Sequence, residues 1–423
     1  MKFILKKIQF IISNFVFIIN LLELFIYKKK IFKLVAKYNI LNICICYEGG
    51  FGVTTVLSDR LSNLSNKKYL LIIFFEKKRF HNIYLQNFSS KINIINLHLL
   101  FRSSPIFFKI FNLEIWQKKL LYKFLKYLIK KKISKINVNS QSFIRKANTQ
   151  LLPPQYKKNK NLKRLLLWRT KKFELPLELN KAFLKTPTIQ ANKFIIDYIK
   201  SKIRRNIFAH NKNICIFFRN KSPIMKNNGR LEDYYITIKY LLRQNFNIFI
   251  TGDYEYNDIL KKLIISNQIF TSDKYNCKKD IFDFFFPSFC EFNISAVSGG
   301  ITIPTFSNKF IYIPNAYPLT FTWPNTLILY KNVNLIDGNI AEYNKNLIEE
   351  LDPDLNCHNF NDKYFISNNT PKEIYEGLLE YLQIFKKKKL NKNNKKIFLE
   401  YNPIFNNKNF NCQIASSSLE YFV

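Results

Sequence analysis

Three short stretches pair an apolar run with residues able to hold an anion. The first is ICICYEGGFGVTTVLSDRL, residues 43–61, in which Gly49, Gly50 and Gly52 use three of the nine glycines in 423 residues. Glycine permits positive φ and close approach of a ligand to the backbone. A helix start after such a turn aims free N–H groups and a positive helix end at the same point. The run is neither a G-x-G-x-x-G fingerprint nor a Walker loop. It reads either as a ligand-facing turn or as a tight structural one. Glu48 heads it, as a base towards a hydroxyl or as a structural cap. The second stretch, VSGGITIP at 297–304, repeats the construction: Ser298 can cap a helix, and the backbone of Ser298, Gly299 and Gly300 can meet phosphate oxygens. The third is FFRN, where Arg219 ends an apolar run and can make bidentate contacts to phosphate, a surface ion pair being the alternative. Arg230 opens the next helical stretch and could support the same anion. Asp253, in ITGD, either binds a hydroxyl-bearing group or caps the following helix.

Metal chemistry finds little support in the sequence. Asp352-Pro353-Asp354 has the look of a paired-aspartate metal motif, but it sits in a polar stretch far from any core strand. The seven cysteines are scattered with no Cys-x-x-Cys pair, and the four histidines show no ligand spacing. Buried thiols in a reducing compartment fit this pattern better than a disulfide framework or a zinc site.

The elements that must position these residues alternate. ILNICICY, YLLIIFFE and KINIINLHL read as buried strands, with a helix over VTTVLSDRLSNL between the first two. A Lys-rich, mainly helical stretch follows over 113–210, interrupted by prolines. The pattern restarts with strand NICIFF, helix RLEDYYITIKYLLRQ, strand FNIFITGD, short helix KDIFDFFFPSF, strand EFNISAV and strand KFIYIP. Apolar strands alternating with helices imply parallel sheets covered on both faces. The expectation is an α/β protein with two Rossmann-like domains facing across a cleft. Its divisions are an N-terminal helix (1–38), an N-terminal domain with the Lys-rich linker (39–205), a C-terminal domain (206–384) and a Lys-rich tail (385–423).

The N-terminal helix carries IQFIISNFVFIINLLELFIY, residues 8–27, between lysine clusters. At 100° per residue, Gln9, Ser13, Asn20, Glu23 and Tyr27 share one narrow face. Such a stripe suits a helix that lies in a membrane interface or docks on a core; a span and a signal peptide are the other readings. Net charge is +38, from 56 Lys and 11 Arg against 29 acids. Nucleic-acid readers lean on Arg. Lys, Asn, Ile, Phe and Tyr all have A/T-rich codons, so codon bias accounts for much of the charge, which still favours anionic lipid.

Over 211–382 the segments ICIFFRN, NNGRLEDYYITIKYLL, NIFITGD, KKDIFDFFFPSFCEFNISAVSGG and KFIYIPNAYP together resemble a family of bacterial glycosyltransferases of surface-polysaccharide gene clusters, with GT-B architecture. YEGGFG adds a weaker likeness in the N-terminal half. The resemblance implies transfer of a sugar from a nucleotide donor to a glycan or lipid-linked acceptor, in the cytoplasm at the inner face of the membrane. It implies that Arg219 and the Ser298-Gly299-Gly300 turn hold the diphosphate, with no cofactor and no metal. Gly49, Gly50 and Gly52 would then line the acceptor side. Asn220 departs from the acidic residue expected after the strand-end arginine, which puts catalysis in question. The alternatives are a degenerate, membrane-peripheral binding protein of the same fold and a Lys-rich nucleic-acid binder.

Overall fold

The computed structural model describes residues 2–26, 29, 32–33, 40–45, 69–74, 92–96, 117, 120–121, 123–124, 127, 137–140, 191, 193–203, 207, 212–219, 229–255, 257–297, 299–301, 303–304, 307, 309–317, 326–342, 347, 364–387 and 412–419. Contacts divide the chain into two compact units, Met1–Ile144 and Arg145–Val423. That division falls earlier than the 205/206 boundary drawn from the sequence. The reason is visible in helix α2 (Lys193–Lys202), which buries Ile195 and Ile199. Its Tyr198 hydroxyl accepts the Lys278 N–H at 2.8 Å, within the second unit.

The first unit opens with helix α1, Lys2–Ile26. Its strands β1 (Ile40–Ile45), β2 (Tyr69–Phe74), β3 (Ile92–Asn96) and β4 (Asn137–Ser140) form a sheet in the order β3-β2-β1-β4. Every pairing is parallel, with Ile43 opposite Ile72 and Ile72 opposite Ile95. Near-continuous apolar strands such as ILNICI and YLLIIF need cover on both faces, which parallel sheets receive from their crossovers. The helix expected over 53–64 lies outside the described residues.

The second unit holds seven parallel strands. In chain order they are β5 (Asn213–Arg219), β6 (Asn247–Asp253), β7 (Ile269–Phe270), β8 (Phe292–Ser295), β9 (Phe310–Ala316) and β10 (Thr326–Tyr330), closed by β13 (Cys412–Ile414). Their order is β13-β10-β9-β8-β5-β6-β7. Strands β11 (Asn332–Leu335) and β12 (Tyr364–Ser367) form a separate antiparallel pair. Helices α3 (Tyr235–Arg243), α4 (Asp258–Ile264), α5 (Lys279–Phe289), α6 (Pro371–Lys387) and α7 (Ser416–Leu419) complete the described elements. β13 and α7 lie in the stretch read from the sequence as a Lys-rich tail. Cys412–Ile414 pairs with Thr326–Ile328, so part of that tail is an edge strand.

One face of this sheet buries Ile214, Ile216 and Phe218 with Ile238, Leu241, Tyr312, Leu378 and Tyr381. Its buried tyrosines are anchored: Tyr381 donates to the Phe310 carbonyl at 2.7 Å and Tyr312 to the Ile374 carbonyl at 3.1 Å. The other face is built on phenylalanine. The Phe249 ring stacks on Phe286 at 4.0 Å and on Phe270 at 4.6 Å. Aromatic pairs in this range add to the area they bury. The strand ends are therefore set by a rigid core on both sides.

Candidate functional site

In the second unit the chain runs β5 to β6 to β7 towards one edge, then returns so that β8, β9 and β10 run towards the other. The order reverses between β5 and β8. Open α/β sheets bind ligands outside the carboxyl ends of the strands at such a reversal. Arg219 is the last residue of β5. Its Nη1 donates to the Val297 carbonyl, just past β8, at 3.5 Å. Arg219 and the turn that begins at Val297 are thus brought together across the reversal. Gly299–Ile301 forms a 3₁₀ turn there, and the Ala296 N–H donates to the Phe217 carbonyl at 3.2 Å, tying the two strand ends. Ser298 and Asn220 lie outside the described residues.

On the other flank of β5, Asp253 stands opposite Arg219 in register and is exposed. The backbone before it is held closely. Gly252 has φ +81°, and a Cβ there would fall on the Phe218 carbonyl oxygen, so the position needs glycine. Its N–H donates to Asp283 Oδ1 at 3.1 Å, and its carbonyl accepts from Lys279 Nζ. Lys279 also reaches Asp283 Oδ2 at 2.6 Å. Burial pushes the Asp283 carboxyl up to about 6, against the pull of Lys279 and the Gly252 N–H. This clamp fixes the direction in which Asp253 leaves the sheet.

Gly300 has a structural reason of its own. A Cβ at that position would sit 2.6–2.7 Å from the ring of Phe217. The same ring lies 3.1 Å from a Cβ built on Gly252. Two glycines therefore leave room for one half-buried phenylalanine between β5 and β8, and Gly300→Val would displace that ring before it tested any phosphate contact.

Arg230 is engaged elsewhere. Its Nη2 donates to Asp233 Oδ1 at 3.1 Å and its backbone N–H to Asp233 Oδ2 at 3.3 Å. The Arg230 side chain is 69% exposed and that of Asp233 only 5%. Asp233 continues into a polar chain: Asn368 Nδ2 donates to its Oδ2 at 2.9 Å, and Lys331 Nζ donates to Asn368 Oδ1 at 2.6 Å. Lys331 follows β10 and is buried; desolvation pulls its pKa down to about 8 while Asp233 opposes that.

The remaining expected residues, Glu48, Gly49, Gly50, Gly52, Asp352 and Asp354, lie outside the described residues. Among the described residues no group of three or more His, Cys, Asp or Glu could hold a metal ion. The sequence reading missed Asp283, Lys279 and Phe217. Asp283 had a signal, as an acid among the phenylalanines of that helix and four residues after Lys279, the spacing that puts two side chains on one helix face.

No protein-family model matches the chain, and no curated protein matches it. Among solved structures it is similar to the E. coli heptosyltransferase WaaC with ADP-2-deoxy-2-fluoro heptose, at 9% identity over 68% of this chain and 92% of that one, TM-score 0.37. It is similar to a glycosyl transferase of family 9 from Veillonella parvula DSM 2008, at 9% identity over 69% and 85%, TM-score 0.40. A third likeness is E. coli ADP-heptose lps heptosyltransferase II, at 12% identity over 82% and 98%, TM-score 0.37. Likenesses at these TM-scores assign neither fold nor activity to this chain, and the strand order above stands on its own.

Proposed function

We propose that the chain is a glycosyltransferase of GT-B type that takes its sugar from a nucleotide donor bound at the strand reversal of the second unit. The observation that carries the donor site is Arg219, whose guanidinium spans from the end of β5 to the carbonyl of Val297. A cation and a glycine turn at the carboxyl edge of a parallel sheet suit a diphosphate. The sugar chemistry rests on the sequence resemblance over 211–382.

In this reading Arg219 and the Ser298-Gly299-Gly300 turn hold the diphosphate and stabilise the departing nucleotide by charge and N–H groups, without a metal. Arg230, held by Asp233, contributes to the field around the anion rather than a direct contact. Asp253 binds a donor hydroxyl, and Glu48 acts as the base towards an acceptor hydroxyl. The Gly49-Gly50-Gly52 turn faces the acceptor, a surface glycan or a lipid-linked sugar at the cytoplasmic side of the membrane.

The test is a thermal-shift and calorimetric screen of the full chain with ADP, UDP, GDP, CMP and their sugars, since a ligand of the native state raises apparent stability. One nucleotide is expected to bind with and without chelator. Hydrogen bonds to charged groups are worth roughly 1.5–3 kcal/mol, so Arg219→Ala should lose about ten- to a hundredfold in affinity. Unchanged affinity in that variant would put the donor elsewhere, and binding that vanishes with chelator would restore a metal reading.

A further inference from the structure

Helix α1 is turned inside out. Ser13, Val16 and Asn20, spaced i, i+3 and i+7, are buried. The donors on this inner side bond within the helix itself, while Asn20 Oδ1 has no hydrogen-bond partner. Ser13 Oγ donates to the Phe10 carbonyl at 3.0 Å and Asn20 Nδ2 to the Val16 carbonyl at 2.7 Å. Asn14 Oδ1 accepts from the buried Gln117 Nε2 at 2.7 Å. On the opposite side stand Ile11, Phe15, Ile18, Leu22 and Phe25, spaced i, i+4, i+7, i+11 and i+14 and each 52–67% exposed. A water-facing helix of a globular protein has the reverse arrangement. A contiguous apolar face of this size marks an interaction surface.

The charges around the face name its partner. Lys2, Lys6 and Lys7 lie in the first two turns of α1, and Lys28, Lys29 and Lys30 follow its end. Both ends are basic, so a second copy laid against this face, parallel or antiparallel, would set lysines against lysines. An anionic bilayer meets both features, since lipid tails cover the apolar face and headgroups neutralise the lysines. A lysine-rich segment also flanks the helix on the side of Asn14 and opposes deep immersion. Gln117, which bonds α1, sits in WQKKLLYKFLKY, where four of twelve residues are lysine and Lys123 is exposed. Among the described residues no helix is long and apolar enough to cross a membrane.

We infer that α1 seats the first unit on an anionic membrane, lying in the plane of the interface with its Ile11–Phe25 face in the lipid and its Ser13, Val16 and Asn20 turned away from it. The sequence read the polar stripe as that of a helix lying in the interface or docked on a core; of its residues, Ser13 and Asn20 are buried in the structure. The inference goes beyond the donor-site reading and does not depend on it, because nucleotide binding by the second unit is measured separately.

The experiment is co-sedimentation of the full chain with phosphatidylcholine vesicles, alone or with one quarter phosphatidylglycerol. Each lysine near an anionic surface contributes about 1 kcal/mol, so the anionic vesicles should be bound at least about tenfold more tightly. Phe15→Asp with Ile18→Asp, both exposed, should lower partitioning at least about tenfold and leave circular dichroism and nucleotide binding unchanged. Lys28→Gln, Lys29→Gln and Lys30→Gln together should abolish the anionic preference. In Phe15→Trp, fluorescence should be quenched most by lipids brominated near the headgroup. Quenching strongest at the bilayer centre would establish a span and overturn the in-plane arrangement. Equal partitioning of the aspartate variant would overturn the assigned face. A dimer that the aspartate pair dissociates, with no vesicle binding, would assign the face to a second copy.

Discussion

Helices α1 and α5 are both rich in phenylalanine and isoleucine, and they use that character in opposite ways. α5 buries Ile281, Phe282, Phe284, Phe285 and Phe286. Its half-buried acid, Asp283, is spent on the backbone of Gly252 at the candidate site. α1 buries Ser13 and Asn20 and leaves Ile8, Phe10, Ile11, Phe15, Ile18 and Phe25 exposed. Composition therefore does not decide which side of a helix meets the core; the partner does. In α5 the partner is a sheet whose own phenylalanines stack on the helix; in α1 the buried polar side chains bond within the helix, and Gln117 donates to Asn14 on its flank.

The largest effect that could break this contrast is a truncation in each helix. Phe286, stacked on Phe249, should cost about 3–5 kcal/mol when changed to Ala, because the stack leaves a cavity. Phe15→Ala should lie within about 0.5 kcal/mol of the parent in the absence of membrane, as exposed substitutions do. Denaturant unfolding of the full chain, read by hydrogen exchange in each unit, checks both. A large loss in Phe15→Ala would mean that its face is covered by protein.

A second effect separates the kinds of polar group the two helices bury. Asp283 in the fold is raised to about 6 from its ordinary 3.8. The folded protein therefore holds its proton more tightly than the unfolded chain. The stabilisation is fully present below about pH 4 and is lost as pH rises through about 6, a fall on the order of 2–3 kcal/mol. Lys279, Gly252 and Asp253 face the carboxyl and set how far it is shifted. Asp283→Asn should flatten stability between pH 4 and 6 while an amide oxygen still accepts the Gly252 N–H. An unchanged slope in that variant would assign the titration to another group. The polar residues buried under α1 are uncharged and should give no such slope.

Much of the second unit was legible in the sequence because its strands are short apolar runs bounded by turns. β6 and β8 fall within the segments expected, β5 and β9 run one and two residues past theirs, and α5 coincides with KDIFDFFFPSF. The strand-end position of Arg219 followed from that pattern. The strand reversal beside it could not be read, since strand order depends on which crossovers go left and right. Asp283 had only a partial signal for a related reason: an acid on an apolar helix looks like a surface residue until the backbone it serves is in place. The role of Gly300 was half visible. Its turn was expected, but its close approach to Phe217 joins residues 83 positions apart. α1 shows the limit most plainly, because periodicity finds the polar stripe without saying whether water or protein lies on that side.

The smallest effect is the sharpest test of the inverted helix. Asn20 is fully buried, and its Nδ2 donates within α1 to the Val16 carbonyl, but its Oδ1 has no hydrogen-bond partner. A buried acceptor left unpaired carries a desolvation cost, whereas an apolar group of similar volume carries none. If Asn20 faces protein, as its burial indicates, Asn20→Leu should be neutral or stabilising by about 1 kcal/mol. The gain is small because the Val16 carbonyl keeps its helical partner and loses only the extra bond. It should appear as slower exchange of the α1 amides, since local opening of a segment sets its exchange. Ile18→Asn, on the opposite face, should leave those amides near parent rates without membrane and weaken vesicle partitioning. If both variants slowed exchange alike, the two faces of α1 would be equivalent and the helix would not be inverted.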